Sequence, residues 1–146
     1  MSGGKKLKFQ RGDQVEIASK EEGFVGSYYE ATVVTELARK EYIVQYLTLV
    51  KDDMSEPLRE FVTADEVRPT PPEIAVTGFR LYDLVDAFDN DGWWVGKITG
   101  RIGNKYFVYF DKSSKDELAY DFERLRIHQD FVDGKWVFPK NQLSIV

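Results

Sequence analysis

The chain has 146 residues, of which 42% are hydrophobic and 31% charged, with a net charge of −5 and no cysteine. That length suits one ordinary domain or two very small ones that share a core, and the composition is that of a soluble globular protein rather than a disordered chain. The absence of thiols excludes disulfides, thiolate catalysis and cysteine–zinc sites, the acidic balance disfavours phosphate binding, and the apolar runs are too short to span a membrane.

In chain order, the N-terminal MSGGKK lacks an apolar stretch, so no secretory leader is expected. The missing cysteines fit a reducing compartment, cytosol or nucleus. QVEIA, from Gln14 to Ala18, alternates with Val15 and Ile17 on one face, which is the period of a strand. YYEATVV and EYIVQYLTLV read as two more strands, joined by TELARKE as a charged turn. TADEVRP predicts a short helical turn that Thr63 caps. RPTPPEIAVTG, with prolines at 69, 71 and 72, reads as a stiff linker. A second series follows: YDLVDAF, WWVGKITG, KYFVYFD and ELAYDFERLRI, with hairpin signals at Asp91-Gly92 and Gly103-Asn104. A second helical turn is expected in ERLRI. Trp136, in DFVDGKWVF, either completes the second series or covers the interface between the two.

The two series repeat. Asp13-Gln14-Val15-Glu16 matches Asp83-Leu84-Val85-Asp86, Tyr29 to Val33 matches Trp94 to Ile98, and Tyr42 to Tyr46 matches Tyr106 to Phe110. Phe61 then matches Tyr120 or Phe122, and Val67-Arg68 matches Leu125-Arg126. Sets of about five short strands close best as barrels, which leave no exposed sheet edge, and such thin cores favour packing together. The expected fold is therefore all-β: two small five-stranded barrels packed in tandem, at residues 7–68 and 79–138, with residues 69–78 between them and short helical turns.

RGDQVEIASKEEGFVGSYYEATVV, then YIVQYLTL and an acidic turn, resembles the Agenet domain, a plant member of the Tudor-like small-barrel family. DLVDAFDNDGWWVGKI, KYFVYF and LRIHQDFVDGKWV resemble the second member of a tandem Agenet pair. The resemblance implies a reader of histone tails, including histone H3 methylated at lysine nine, acting in heterochromatin and gene silencing in the nucleus. It implies a monomeric tandem module within a larger protein, a histone H3 N-terminal tail as partner, and no cofactor.

A methylated ammonium keeps its charge but sheds hydrogen-bond donors and tight hydration. Each aromatic face then contributes ~0.5–2 kcal/mol, so a box of about three rings is useful where one is not. The box of Tudor-like barrels is drawn from the first loop, the start of the second strand and the end of the third. That pattern carries over to Phe24, Tyr29 and Tyr46, with Tyr28 in reserve because alternation sends it to the opposite face from Tyr29. In the second copy it carries over to Phe88, Trp94 and Phe110. The plainer reading is that Tyr46 and Phe110 fill cores, and that Tyr29 and Trp94 pack at a rim or between barrels. Phe24, in a Glu-Glu-Gly-Phe-Val-Gly loop, is hard to place in a core.

Acids cluster in loops at Glu21 and Glu22, at Asp52, Asp53 and Glu56, and at Asp89 and Asp91. They form a solvated surface, or attract the lysines, arginine and amino terminus of a tail. His128 is the sole histidine, too few for a zinc set and without a nucleophile motif; it is structural, or lines a peptide groove and makes binding pH-dependent. No phosphate loop or nucleophile–base pair points to an enzyme. Two other functions remain open: single-stranded nucleic acid stacked on aromatics, which the charge disfavours, and methylation-independent protein scaffolding.

Overall fold

The computed structural model describes residues 8–139; MSGGKK and Leu7, where the first copy is expected to begin, lie outside them. The chain divides into two compact units. The first comprises residues 8–17 and Tyr29–Thr70, and the second Ala18–Tyr28 and residues 71–139. The segment Ala18–Tyr28, expected in the first copy, thus packs with the second.

The first unit is built on β1 (Gln14–Ala18), β2 (Ser27–Ala38), β3 (Glu41–Val50), β4 (Pro57–Thr63) and β5 (Val67–Pro69). All pairings are antiparallel, in the order β4-β3-β2-β1-β5. The TELARKE stretch is mostly strand, not turn. Only Arg39 and Lys40 reverse the chain, and Lys40 takes a φ of 65°. A two-residue hairpin with a left-handed residue matches the twist of its strands, so a longer loop is unnecessary. The helical turn falls at Ala64–Glu66, where the Glu66 carboxylate accepts a hydrogen bond from the Thr63 N–H at 3.0 Å. Alternation sends Val15, Ile17, Ala31, Val33, Tyr42, Val44 and Val62 inward, and all are buried.

The second unit repeats this plan with β6 (Leu84–Asp89), β7 (Gly92–Ile102), β8 (Lys105–Tyr109), β9 (Glu117–Asp121) and β10 (Leu125–Ile127). Its order is β9-β8-β7-β6-β10, and its core holds Val85, Ala87, Ile98, Tyr106, Val108, Phe110, Tyr120 and Leu125. The Asp91-Gly92 hairpin shifts by one residue: Asn90 and Asp91 form the turn, with φ of 47° and 66°, and Gly92 opens β7. The helical turn is Phe122–Arg124, so Leu125-Arg126-Ile127 is strand. Register also corrects one repeat match. Tyr42 pairs with Val62 and Tyr106 with Tyr120, so Tyr120 corresponds to Val62, and Phe61 to Ala119. Phe61 points outward and is exposed, whereas Tyr120 is buried.

Both units hold an Arg–carboxylate ion pair at the same register, fully buried in the first and with a partly exposed arginine in the second. In the first, Arg68 Nη2 lies 2.8 Å from Glu16 Oε1, with both side chains buried. In the second, Arg126 Nε donates to Asp86 Oδ2 at 2.8 Å. A pair of this kind stabilises little over an apolar equivalent, but breaking one partner leaves a buried charge. Trp136 does not complete the second barrel. β11 (Asp130–Val132) and β12 (Lys135–Val137) form a separate hairpin in which Phe131 and Trp136 pack with ring centroids 4.9 Å apart.

Candidate functional site: an aromatic pocket in the second unit

β7 and β8 carry Trp94 and Phe110 to one end of the second barrel, and β9 adds Tyr120. The three side chains line a pocket of about 300 Å³. Phe110 and Tyr120 meet edge to face, with centroids 5.9 Å apart and planes at 84°. Gly23, Ser113, Ser114 and Leu118 contribute to the wall, and Asp89 and Asp116 supply carboxylates.

Asp89 acts as a clamp. Its Oδ2 accepts from the Tyr120 hydroxyl at 2.6 Å, and its Oδ1 accepts from the Asn90 N–H at 2.8 Å. Its backbone oxygen accepts from Trp94 Nε1 at 2.9 Å. The last residue of β6 thereby fixes two of the three rings. Burial pushes the Tyr120 phenol up, and the hydrogen bond and charge of Asp89 add to that, so the hydroxyl stays protonated and keeps donating. Asp116 differs. Its side chain makes no hydrogen bond or ion pair within the described residues.

The pocket therefore joins three aromatic side chains with one committed and one free carboxylate. Ring faces attract a weakly hydrated cation, and a free carboxylate accepts a remaining N–H.

The residues expected to form the first box divide between the two units. Tyr29 and Tyr46 meet edge to face in the first unit, 6.4 Å apart and both buried, and the Tyr46 hydroxyl bonds to Glu60. Phe24 and Tyr28 belong to the second unit. There Phe24 faces Trp94 at 6.4 Å, and Tyr28 lies 6.3 Å from His128. The cause is backbone pairing: Ser27 and Tyr28 lie opposite Trp94 and Trp93 in an antiparallel ladder. Of the expected second box, Trp94 and Phe110 line the pocket. Phe88 instead packs on Trp93 at 5.1 Å, on the opposite face of the strand.

The acids divide in the same way. Glu21 and Glu22 are exposed in the segment that packs with the second unit. Asp53 is engaged in its own turn, where hydrogen bonds from the Ser55 hydroxyl and N–H hold its carboxyl below the usual range. Asp52 is exposed beside it, and Glu56 pairs with Lys51 at 3.2 Å. Asp91 shapes the β6–β7 turn, which leaves Asp89 as the expected acid that lines the pocket.

His128 is buried. Its Nδ1 lies 2.7 Å from Asp86 Oδ1 and its Nε2 2.8 Å from Asp130 Oδ1. Burial alone would lower its pKa. The hydrogen bond and charge of Asp86, then the charge and hydrogen bond of Asp130, outweigh this and raise it. On the same strand pair, the Arg126 guanidinium sits 4.1 Å from the centroid of the Trp93 ring.

Tyr120 and Asp116 were not expected. The signal for Tyr120 lay in strand register, since its counterpart Val62 is aliphatic; Asp116 sits among other loop acids and carries no signal of its own. Among the described residues, no group of three or more His, Cys, Asp or Glu could hold a metal ion, and no helix is long and apolar enough to cross a membrane.

Two small antiparallel barrels and a preformed ring-lined pocket define a protein-interaction module. The Agenet domain family model matches residues 12–72, and the chain belongs to that family. Its fold is that of a Tudor-like tandem pair. It is similar to the crystal structure of Arabidopsis thaliana AGDP1 AGD34, at a TM-score of 0.85 and 36% identity over 90% of each chain. It is also similar to the ADCP1 tandem Agenet domain 3-4, at a TM-score of 0.81 and 32% identity over 90% of this chain and 88% of that one. Among curated proteins of Arabidopsis thaliana, it is 35% identical to Protein AGENET DOMAIN (AGD)-CONTAINING P1 over 90% of its own length and 26% of that protein's. It is 37% identical to DUF724 domain-containing protein 6, over 91% of this chain and 20% of that protein. The chain thus spans about a quarter or less of these two relatives.

Proposed function

We propose that the chain is a nuclear histone-tail reader that holds one methylated lysine in the pocket of its second unit. The best match is histone H3 dimethylated at lysine nine, and the role is in heterochromatin and gene silencing. The observation that carries this reading is the convergence of Trp94, Phe110 and Tyr120 on one pocket with Asp116 free beside them. Three rings suit an ammonium that has lost hydration, and the net charge of −5 suits a basic tail. Exposed charge pairs add little each, so the expected affinity is micromolar, about −8 kcal/mol.

Calorimetry with H3-tail peptides, unmodified and dimethylated at lysine nine, tests the reading. The methylated peptide is expected to bind more tightly, with one site per chain, and Trp94→Ala is expected to abolish the difference. Equal affinity for both peptides would sink the reading.

A further inference from the structure

The segment Ala18–Tyr28 follows the first strand of the first copy, yet it packs with the second unit. It is held there by its backbone. Ser27 and Tyr28 pair with Trp94 and Trp93, and the Val95 N–H donates to the Gly26 oxygen at 2.9 Å. Within the segment, the Phe24 N–H donates to the Glu21 oxygen at 3.0 Å. The buried Ser27 donates twice to the Phe24 oxygen, from its hydroxyl at 2.6 Å and its N–H at 3.2 Å. These bonds fix the turn at the root of the Phe24 side chain. Gly26, at a φ of 87°, makes the bend, and a Cβ there would meet the Lys112 Cβ at 3.4 Å. Gly23 lines the pocket itself, and the Phe24 ring stands 6.4 Å from Trp94, tilted by 33°.

Phe24 is nevertheless 44% exposed. A large apolar ring whose backbone is fixed next to the pocket-lining Gly23, beside Trp94, offers exposed apolar surface to a ligand there. We infer that Ala18–Tyr28 is a strap that completes the second unit's pocket, and that Phe24 is its fourth ring, covering the methyl groups of a ligand seated against Trp94. This inference rests on the methyl-lysine reading above and assigns Phe24 to the pocket of the second copy instead of the first.

The full chain is titrated with the dimethylated and unmodified peptides as wild type, Phe24→Ala, Phe24→Trp and Trp94→Ala. Phe24→Ala is expected to weaken the methylated peptide by roughly tenfold, the scale of one cation–ring contact, while the unmodified peptide changes less than about twofold. Phe24→Trp is expected to retain the preference. An unchanged preference in Phe24→Ala alongside its loss in Trp94→Ala would overturn the strap and leave the reader standing. Equal weakening of both peptides by Phe24→Ala would overturn it too. No preference in the wild type would remove both.

Isotope-filtered NOEs supply a readout independent of variant folding. The peptide N-methyl protons are expected to contact the Phe24 and Trp94 rings. Contacts to Tyr29 and Tyr46 in their place would move the ligand to the first unit and refute the assignment.

Discussion

Gly96→Ala is expected to destabilise the second unit although it adds a single methyl group. A Cβ at Gly96 would lie 2.4 Å from Val108 Cγ1, 3.0 Å from the Tyr109 carbonyl oxygen and 3.1 Å from Phe110 Cδ1. Val108 is fully buried and β-branched, so it has no easy alternative rotamer, and the neighbouring oxygen belongs to the backbone. Relief requires β7 and β8 to separate or the Phe110 ring to move. Overpacking of this kind costs about 1–3 kcal/mol, and replacing a strand glycine returns roughly 0.5–1 kcal/mol of chain entropy. The net expectation is a loss of about 1–2 kcal/mol, or roughly 4–15 °C in Tm for a unit of this size. The three tryptophans, Trp93, Trp94 and Trp136, all lie in the second unit, so fluorescence-detected urea unfolding isolates its transition. Gly100→Ala is the control: its Cβ would meet only Phe107 Cδ2, at an ordinary 3.5 Å, and should change stability by less than about 0.5 kcal/mol. Ala31 holds the matching register opposite Tyr46 in the first unit, so the position accepts a methyl in one copy. The prohibition in the second comes from Val108 and Phe110 as they are packed. A Gly96→Ala protein as stable as wild type would refute that reasoning.

Three further outcomes are expected. Asp116→Asn should erase a preference for mono- and dimethyl-lysine over trimethyl-lysine by roughly fivefold or more, because it removes the free carboxylate acceptor while Asp89 stays committed to Tyr120 and Asn90; titration of the three peptide forms reads it. His128 has a folded-state pKa raised above 6.5, so its stabilisation is fully present below that pH and is lost as pH rises through the folded value. Fluorescence-detected stability should therefore fall as pH rises above 6.5 in wild type and lose that component in His128→Asn. Glu16→Gln should cost about 3–5 kcal/mol by removing the Glu16 charge from the buried Arg68 guanidinium, read as faster hydrogen exchange of the Val33 and Val44 amides in the first unit.

Strand existence was legible because period-two alternation and turn chemistry agree along most of the chain. Val15, Ile17, Ala31 and Val33 are wall residues because every second position on their strands is apolar. What escaped was non-local. TELARKE is polar because one face of a long, twisted hairpin is solvated, not because the chain leaves the sheet. The Glu16–Arg68 and Asp86–Arg126 pairs join strands 52 and 40 residues apart, so each half alone reads as a surface charge. The site was half legible. Trp94 and Phe110, matched through the repeat, line the pocket, whereas the first-loop pattern of the family places Phe24 with the first copy. The ladder from Ser27 and Tyr28 to Trp94 and Trp93 overrides that pattern.

The β3–β4 and β8–β9 registers show where two similar barrels differ. Val62 occupies the register that Tyr120 holds in the second unit, so the first lacks the third ring. Its Tyr46 hydroxyl is committed to Glu60, and Tyr29 and Tyr46 are buried against each other. In the second unit Phe110 has no hydroxyl to commit, and Leu118 pairs with Val108 as Glu60 pairs with Val44, which makes that wall apolar. Asp89 then turns Tyr120 and Trp94 toward one space. The two copies thus differ at three matched positions, Tyr46 against Phe110, Glu60 against Leu118 and Val62 against Tyr120. Phe24, in the segment Ala18–Tyr28 of the second unit, stands beside Trp94 and not beside Tyr29 and Tyr46.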